Sequence, residues 1–262
     1  MAIGPHPPAR MPQDLRTGPL VPAGALERAV ELLGRLGETG PELTVAQLAA
    51  DAGMPTSTAY RLLAELEQYG LVQRSSDRTV ALGTRLVALG RTAEAGLNER
   101  LVTPAAMVMA RLSERTGETA LLTAPCGLEG IVLHTVEGQL HSVRLSYALL
   151  HRAPMHRGAS GKVMAAYLEP AERARLVDAV DDPKLAPELD RIRVAGFVVT
   201  RGELDDGAGA VAAPILDRRG RLVAGLSLAG PAERITAALP GLVDAVLAAA
   251  AQVRAAYLDA AA

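Results

Sequence analysis

Apolar residues recur along this chain with two different periods. From Ala25 to about Leu82 the spacing is mostly that of amphipathic helices. "ALERAVELLGRLGE" puts Leu26, Val30, Leu33 and Leu36 on one face. "LTVAQLAADAG" follows, with Thr44 and Gln47 three apart as a capping box and Gly53 as a stop. "MPTSTAYRLLAELEQYG" offers Pro55 for a first turn and Gly70 for a C-terminal stop. "LVQRSSDRTVAL" then reads as two short strands around a polar turn. Residues 84–97 predict a helical connector. Beyond it lie six short apolar runs that read as strands: "TALLTAP", "GIVLHTV", "SVRLSY", "FVVTR", "AVAAPILD" and "LVAGLSLAG". Helical patterns fall near 99–116, 160–180, 187–195 and 236–258. Tight polar or glycine turns ("CGLEG", "EGQLH", "DRRGR") join several of the strands and favour antiparallel pairing.

Three helices and a hairpin within about sixty residues describe a winged helix-turn-helix. At about 100° per residue, Ala59, Leu62, Leu63 and Leu66 of the third helix face a core, while Ser57, Tyr60, Arg61, Ala64 and Gln68 face out. A major groove accepts such a surface. Thr56, Ser57 and Thr58 offer short donors at the helix start, and Arg61 can fork onto guanine or phosphate. Arg74 and Arg78 on the hairpin would lie over flanking phosphates. Glu65 and Glu67 fall in the later half of the helix, away from that reading end.

Charge does not by itself announce a DNA binder. The chain carries a formal net charge of −2, and residues 25–85 hold six arginines against eight carboxylates, so any nucleic-acid contact must come from a local surface. Of 262 residues, 49% are hydrophobic and 21% charged, a balance that suits a soluble protein with a sizeable core. The apolar run at 245–251 is too short to span a bilayer and is bracketed by Asp244 and Arg254. Residues 1–23 hold six prolines and few large apolar groups; they read as a disordered tail with no signal-peptide core. The single cysteine, Cys126, rules out an internal disulfide and fits a cytoplasmic protein.

The glycine-lysine turn "HRGASGKVM" raises the question of a phosphate loop. Counting back from Gly161-Lys162, the position that must be glycine is His156, and Val163 stands where a hydroxyl residue must hold the metal. The spacing fails. What remains is a helix start at Ser160-Gly161-Lys162, whose N–H groups suit a carboxylate. His134, His141, His151, His156 and Cys126 show no HxxxH or CxxC spacing, so no metal site is expected. Ser160 lacks the G-x-S-x-G elbow of a hydrolase, so no catalytic residue or cofactor is assigned.

"ALERAVELL…LTVAQLAADAGMPTSTAYRLLAELEQYGLVQR" resembles the N-terminal domain of IclR-type transcriptional regulators. The resemblance continues through "LGTRLVALG", "PMHRGASGKVMAAYL" and "GAVAAPILDRRGRLVAGLSLAGPAERIT", and covers nearly all of residues 24–258. It implies an α+β chain: a disordered tail (1–23), a winged helix-turn-helix (24–83), a linker helix (84–97) and an effector-binding domain (98–262). That last domain would be of GAF or profilin-like type, an antiparallel sheet flanked by helices. It implies double-stranded operator DNA as partner, a small-molecule effector, and a homodimer or dimer of dimers. The connector, with Leu86, Val87, Leu89 and Leu97, would be either a helix packing against a partner chain or a domain hinge, and the helix at 25–37 has the same two readings; one of the two would carry the dimer contact. Met155, Ala159 and Ser160 match the turn that lines the effector pocket, Ala210, Ser227 and Ala229 match positions on two strands, and Glu203 matches an acidic loop position. Ala210 stands where cysteine is common and Ala229 where a second serine is common, so the effector is expected to be a more apolar acid than the smallest keto acids. Arg157, in place of a small residue, would either pair with its carboxylate or stand as a solvated arginine at the loop edge.

Overall fold

The Thr44 hydroxyl accepts the Gln47 N–H at 3.3 Å while Gln47 Oε1 accepts the Thr44 N–H at 3.0 Å, so a helix starts at the capping box that the sequence marks. In the computed structural model, residues 24–39, 43–75 and 79–260 are described. The expected tail at 1–23 and Arg78 lie outside them. The described residues form two units that part between Gly96 and Leu97.

The N-terminal unit comprises α1 (Ala25–Thr39), β1 (Leu43–Thr44), α2 (Val45–Asp51), α3 (Thr56–Gln68), β2 (Val72–Arg74), β3 (Thr79–Leu82) and α4 (Thr84–Leu97). It is a winged helix-turn-helix whose hairpin gains a third strand, in the order β1-β3-β2, all antiparallel. Leu32, Leu48, Leu62, Leu63 and Val80 form its dry core. The inward face of α1 differs from the expected stripe. Leu32 and Leu36 are buried, whereas Leu26 and Val30 are 79% and 58% exposed. The helix is apolar on more than one side, and the core takes the side that α3 covers.

The C-terminal unit begins with a π turn (Asn98–Val102) and α5 (Thr103–Thr116). It continues through β4 (Thr119–Cys126), β5 (Glu129–Val136), β6 (Arg152–Pro154), α6 (Gly158–Ala165), α7 (Pro170–Val180) and α8 (Leu185–Ala195). It ends with β7 (Val198–Arg201), β8 (Ala208–Leu216), β9 (Leu222–Pro231), α9 (Ala232–Ala237) and α10 (Leu239–Ala260). The six strands form one antiparallel sheet, β6-β5-β4-β9-β8-β7. Alternation sorts its residues. Ala120, Leu122, Val211, Ile215, Leu226 and Leu228 pack against α5 and α10 on one face, while Leu121, Thr123, Ala210, Ser227 and Ala229 point to the other. α10 alone among the described helices is long and apolar enough to cross a membrane by length and composition. Here Leu242, Val246, Ala249, Ala250 and Val253 turn inward and complete the core.

Two expected elements differ, and one strand appears that was not expected. Residues 142–147 are not a strand but part of a strap, 137–151, whose carbonyls are served by side chains. Arg234 donates to Val143 O (2.9 Å), Thr119 Oγ1 to Leu145 O (2.6 Å) and Thr135 Oγ1 to Tyr147 O (3.1 Å). Arg234 is itself fixed by the buried Glu118 carboxylate through two bonds of 2.7 and 2.8 Å. The strand at the β5 edge of the sheet is instead β6, which no sequence pattern marked. The helix expected over 160–180 is two helices: the first ends at Ala165, and Pro170, suited to a first turn, opens the second.

Candidate functional site

In α3 the expected division of faces holds. Ala59, Leu62, Leu63 and Leu66 are buried; Thr56, Ser57, Tyr60 and Arg61 are exposed and Thr58 half-buried. Pro55 precedes the helix with no side-chain cap, which leaves backbone donors at its start. The structure corrects the placing of the acids. Glu65 Oε1 accepts from Arg61 Nη1 at 2.8 Å, and Glu67 Oε2 pairs with Arg74 Nε at 3.0 Å. Helical geometry explains the first contact, since residues four apart are neighbours on one face. The Arg74 guanidinium also lies 5.8 Å from the Tyr60 ring centre, so wing and helix present one continuous polar surface.

The second candidate site is a cavity of about 60 Å³ on the face of the large sheet that α6 covers, beneath the start of that helix. By the same measure a water needs ~10–15 Å³, so a few waters or a short organic molecule fill it. Ala159, Ser160, Glu203, Ala210, Ser227 and Ala229 all line it. Met155 does not: it is fully buried in the core below α6. Arg157 does not either; it is exposed, and only its backbone caps α6.

The start of α6 is already partly occupied. Glu203 Oε2 accepts from the Gly158 N–H at 2.9 Å and Oε1 from Lys162 Nζ at 2.8 Å, while Glu188 Oε1 takes a second Lys162 bond at 2.8 Å. Burial lowers the pKa of the Lys162 ammonium, but its bonds to Glu188 and Glu203 outweigh that and hold it above the ordinary value. Gly158 tolerates no side chain, because its φ is +72° and a Cβ would meet Leu204 Cδ1 at 2.5 Å. The loop before β8 therefore closes directly on α6. Ala159 and Ser160, the second and third residues of the helix, carry N–H groups that an α-helix leaves without intrahelical partners.

Other groups complete the walls. Ser160 and Ser227 share a hydrogen bond of 2.8 Å. Tyr147, from the strap, donates to Asp205 Oδ2 at 2.8 Å. Burial first, then that acceptor, push its phenol well above the usual value. His151, Thr123 and Thr200 also face the cavity. Sequence reasoning missed these four. Strand alternation marks Thr123 and Thr200 as sharing a face with Ala210 and Ser227, but nothing local signals that the strap carries Tyr147 and His151 over it. His156, beside the cavity, has a buried Nδ1 without partner. Burial first, then the charges of Arg157 and Lys162, hold its pKa below the ordinary value.

Comparison with known proteins places both units. Residues 97–255 match the family model described as bacterial transcriptional regulator IclR C-terminal, and residues 25–76 match the IclR helix-turn-helix domain. The HTH-type transcriptional regulator KipR of Bacillus subtilis is 30% identical over 225 residues, which span 81% of this chain and 89% of that one. An IclR family transcriptional regulator from Brucella abortus shares the fold with a TM-score of 0.71 at 20% identity, over 88% of this chain and 92% of that one. An IclR homologue from Microbacterium hydrocarbonoxydans, crystallised with 4-hydroxybenzoate, gives 0.64 at 24% identity, over 89% and 99%.

Proposed function

The chain belongs to the IclR family of bacterial transcriptional regulators, and from that premise we propose that α3 and its wing read operator DNA while an organic acid in the cavity beside α6 sets how tightly they do so. The protein is a DNA-binding regulator and not an enzyme. The reading side chains are Thr56, Ser57, Thr58, Tyr60 and Arg61 on the helix, with Arg74 on the wing and Arg78 beyond the described residues. An exposed arginine one turn into a helix with uncapped N–H groups is suited to phosphate and to guanine.

The observation that carries the ligand half is the cavity itself: the second and third residues of α6 line it, together with small and aliphatic side chains such as Leu121, Val132, Ala210 and Ala229 and the hydroxyls of Thr123, Thr200 and Ser227. Helix-start donors hold a carboxylate, and the Microbacterium homologue's 4-hydroxybenzoate is a carboxylate. Ala210 and Ala229 favour an apolar body on the acid, and the cavity volume favours a short one. Arg157 has no part in this site. Neither has Met155, except as packing. The protein works in the bacterial cytoplasm as a homodimer or a dimer of dimers. The exposed apolar side chains of α1 (Leu26, Val30) and α4 (Val87, Leu89, Leu97) support that state, since α4 buries none of its residues within the chain. Bound acid acts by favouring one arrangement of DNA-binding units over another, and by no more than its difference in affinity for the two.

The test is a fluorescence-anisotropy titration of the full chain on its own upstream DNA at fixed salt, with and without a panel of carboxylic acids. Specific binding that one acid weakens or strengthens is the expected result. Specific binding indifferent to every acid removes the ligand half of the proposal.

A further inference from the structure

Among the described residues two side-chain polar atoms are buried without a hydrogen-bond partner, and one of them, Thr123 Oγ1, belongs to a residue that lines the cavity. Native proteins rarely leave such a group orphaned, because its hydration is lost and nothing replaces it. The neighbouring hydroxyls are differently placed: Ser160 and Ser227 bond each other, and Tyr147 donates to Asp205. Thr123 itself is 4% exposed.

The surroundings of Thr123 are specially made. Leu122 lies opposite His134 on β5 but Thr123 lies opposite Val132, so Leu133 is an extra residue in that strand, a β-bulge. The bulge brings Val132 and Gly130 onto the face that Thr123 shares. A Cβ at position 130 would meet Thr123 Cγ2 at 2.9 Å and Met164 Cε at 2.6 Å, so one of those side chains would have to shift. The methyl of Thr123 rests in the gap that the glycine leaves. A β-branched side chain with its methyl so seated has little rotational choice, which fixes its hydroxyl as well.

Resting on the reading of this cavity as the effector site, we propose that Thr123 selects the acid: its hydroxyl is the partner for a hydroxyl or oxo group that the acid carries besides its carboxylate. The carboxylate goes to the Ala159 and Ser160 N–H groups, the second polar group to Thr123, and the short carbon chain to Leu121, Val132 and Ala210. Acids that lack the second group leave Thr123 Oγ1 without a partner and bind more weakly.

The experiment is isothermal titration calorimetry on the full chain with matched acids: propionate and lactate, butyrate and 3-hydroxybutyrate, benzoate and 4-hydroxybenzoate. Wild type is compared with Thr123→Val, which keeps the shape and removes the hydroxyl, with Thr123→Ser, which keeps the hydroxyl, and with Ala229→Leu, which fills the cavity. In at least one pair, wild type binds the hydroxylated acid about tenfold more tightly, the worth of one well-made hydrogen bond. Thr123→Val brings that ratio close to one, and Thr123→Ser retains the preference. Equal binding within every pair, or a preference that survives in Thr123→Val, overturns the role of Thr123 and leaves the effector site standing. No binding of any acid to wild type, or binding that ignores Ala229→Leu, overturns the effector-site reading and this inference with it.

Discussion

Arg61 on α3 and Lys162 on α6 each hold a carboxylate at 2.8 Å, yet the two pairs behave as opposites. The Arg61 and Glu65 side chains are 61% and 53% exposed, so water and salt screen their attraction to a few tenths of a kcal/mol. Lys162 is 10% exposed and bridges two carboxylates, Glu188 and Glu203, from different elements. The first cation can leave its partner at almost no cost, as the proposed contact with a phosphate or a base requires. The second is not available for exchange, because removing it strands two acids in a half-dry place. A surface that must grip and release DNA keeps its charges loose; a cavity that must keep its shape locks them together. With Lys162 held between two carboxylates, the start of α6 offers the proposed acid N–H dipoles and hydroxyls rather than a bare cation.

The largest expected effect tests the locked half. Lys162→Met leaves Glu188 and Glu203 facing each other, and Glu203 is the residue that ties its loop to the Gly158 N–H. Loss of one partner from a buried pair costs about 3–5 kcal/mol, here nearer 2–4 because both glutamates keep some water. Urea unfolding measures it. A loss below about 1 kcal/mol would place this cluster in the same class as the surface pair and dissolve the contrast. Next in size is Arg61→Ala, which is expected to weaken operator binding by about 1–3 kcal/mol while leaving the thermal midpoint unchanged. Anisotropy and calorimetry on the same preparation separate the two. A drop in midpoint with intact affinity would make Arg61 structural.

The same contrast explains what could be read from the chain. α3 is contiguous, so its 3.6-residue period assigns each side chain to core or solvent, and Ala59 to Leu66 fell where that period puts them. Capping at Thr44 was equally local. The cavity draws on residues from Leu121 to Ala229, and its parts are alanines, glycines and backbone N–H groups that no pattern singles out. Family resemblance supplied Ala159, Ser160, Glu203, Ala210, Ser227 and Ala229; it did not supply Thr123 or Tyr147. Residues 142–147 alternate like a strand but lie as a strap, because side chains of Arg234, Thr119 and Thr135 claim the carbonyls that a ladder would use. The partners are distant in sequence, so the local pattern carries no trace of them.

Between these effects lies a pH dependence that reports on the locked cluster. His156 is held below its ordinary pKa of 6.5, chiefly by burial and then by Arg157 and Lys162, so the folded protein prefers it neutral. The unfolded chain binds the proton more readily. The stability that His156 contributes is therefore intact above 6.5 and is lost as pH falls from there through the depressed folded value. Thermal midpoints from about pH 7.5 down to 5.5 are expected to fall more steeply for wild type than for His156→Gln, which cannot titrate. Parallel slopes would remove His156 from the account.

The smallest effect sharpens the loose half. Glu65→Gln releases Arg61 from its neighbour and removes a negative charge from beside the DNA. An i,i+4 pair on a helix surface is worth about 0.3–0.5 kcal/mol, so the fold barely registers the change. Operator affinity is expected to rise about two- to fourfold at low salt, because Arg61 no longer leaves a carboxylate to reach a phosphate. Raising the salt should shrink that gain, since screening weakens both the pair that was lost and the repulsion that was relieved. The opposite sign would be the more instructive result. If Glu65→Gln weakened operator binding, the carboxylate would be holding the guanidinium in its reading pose, and the exposed pair would belong with Lys162 among the built ones.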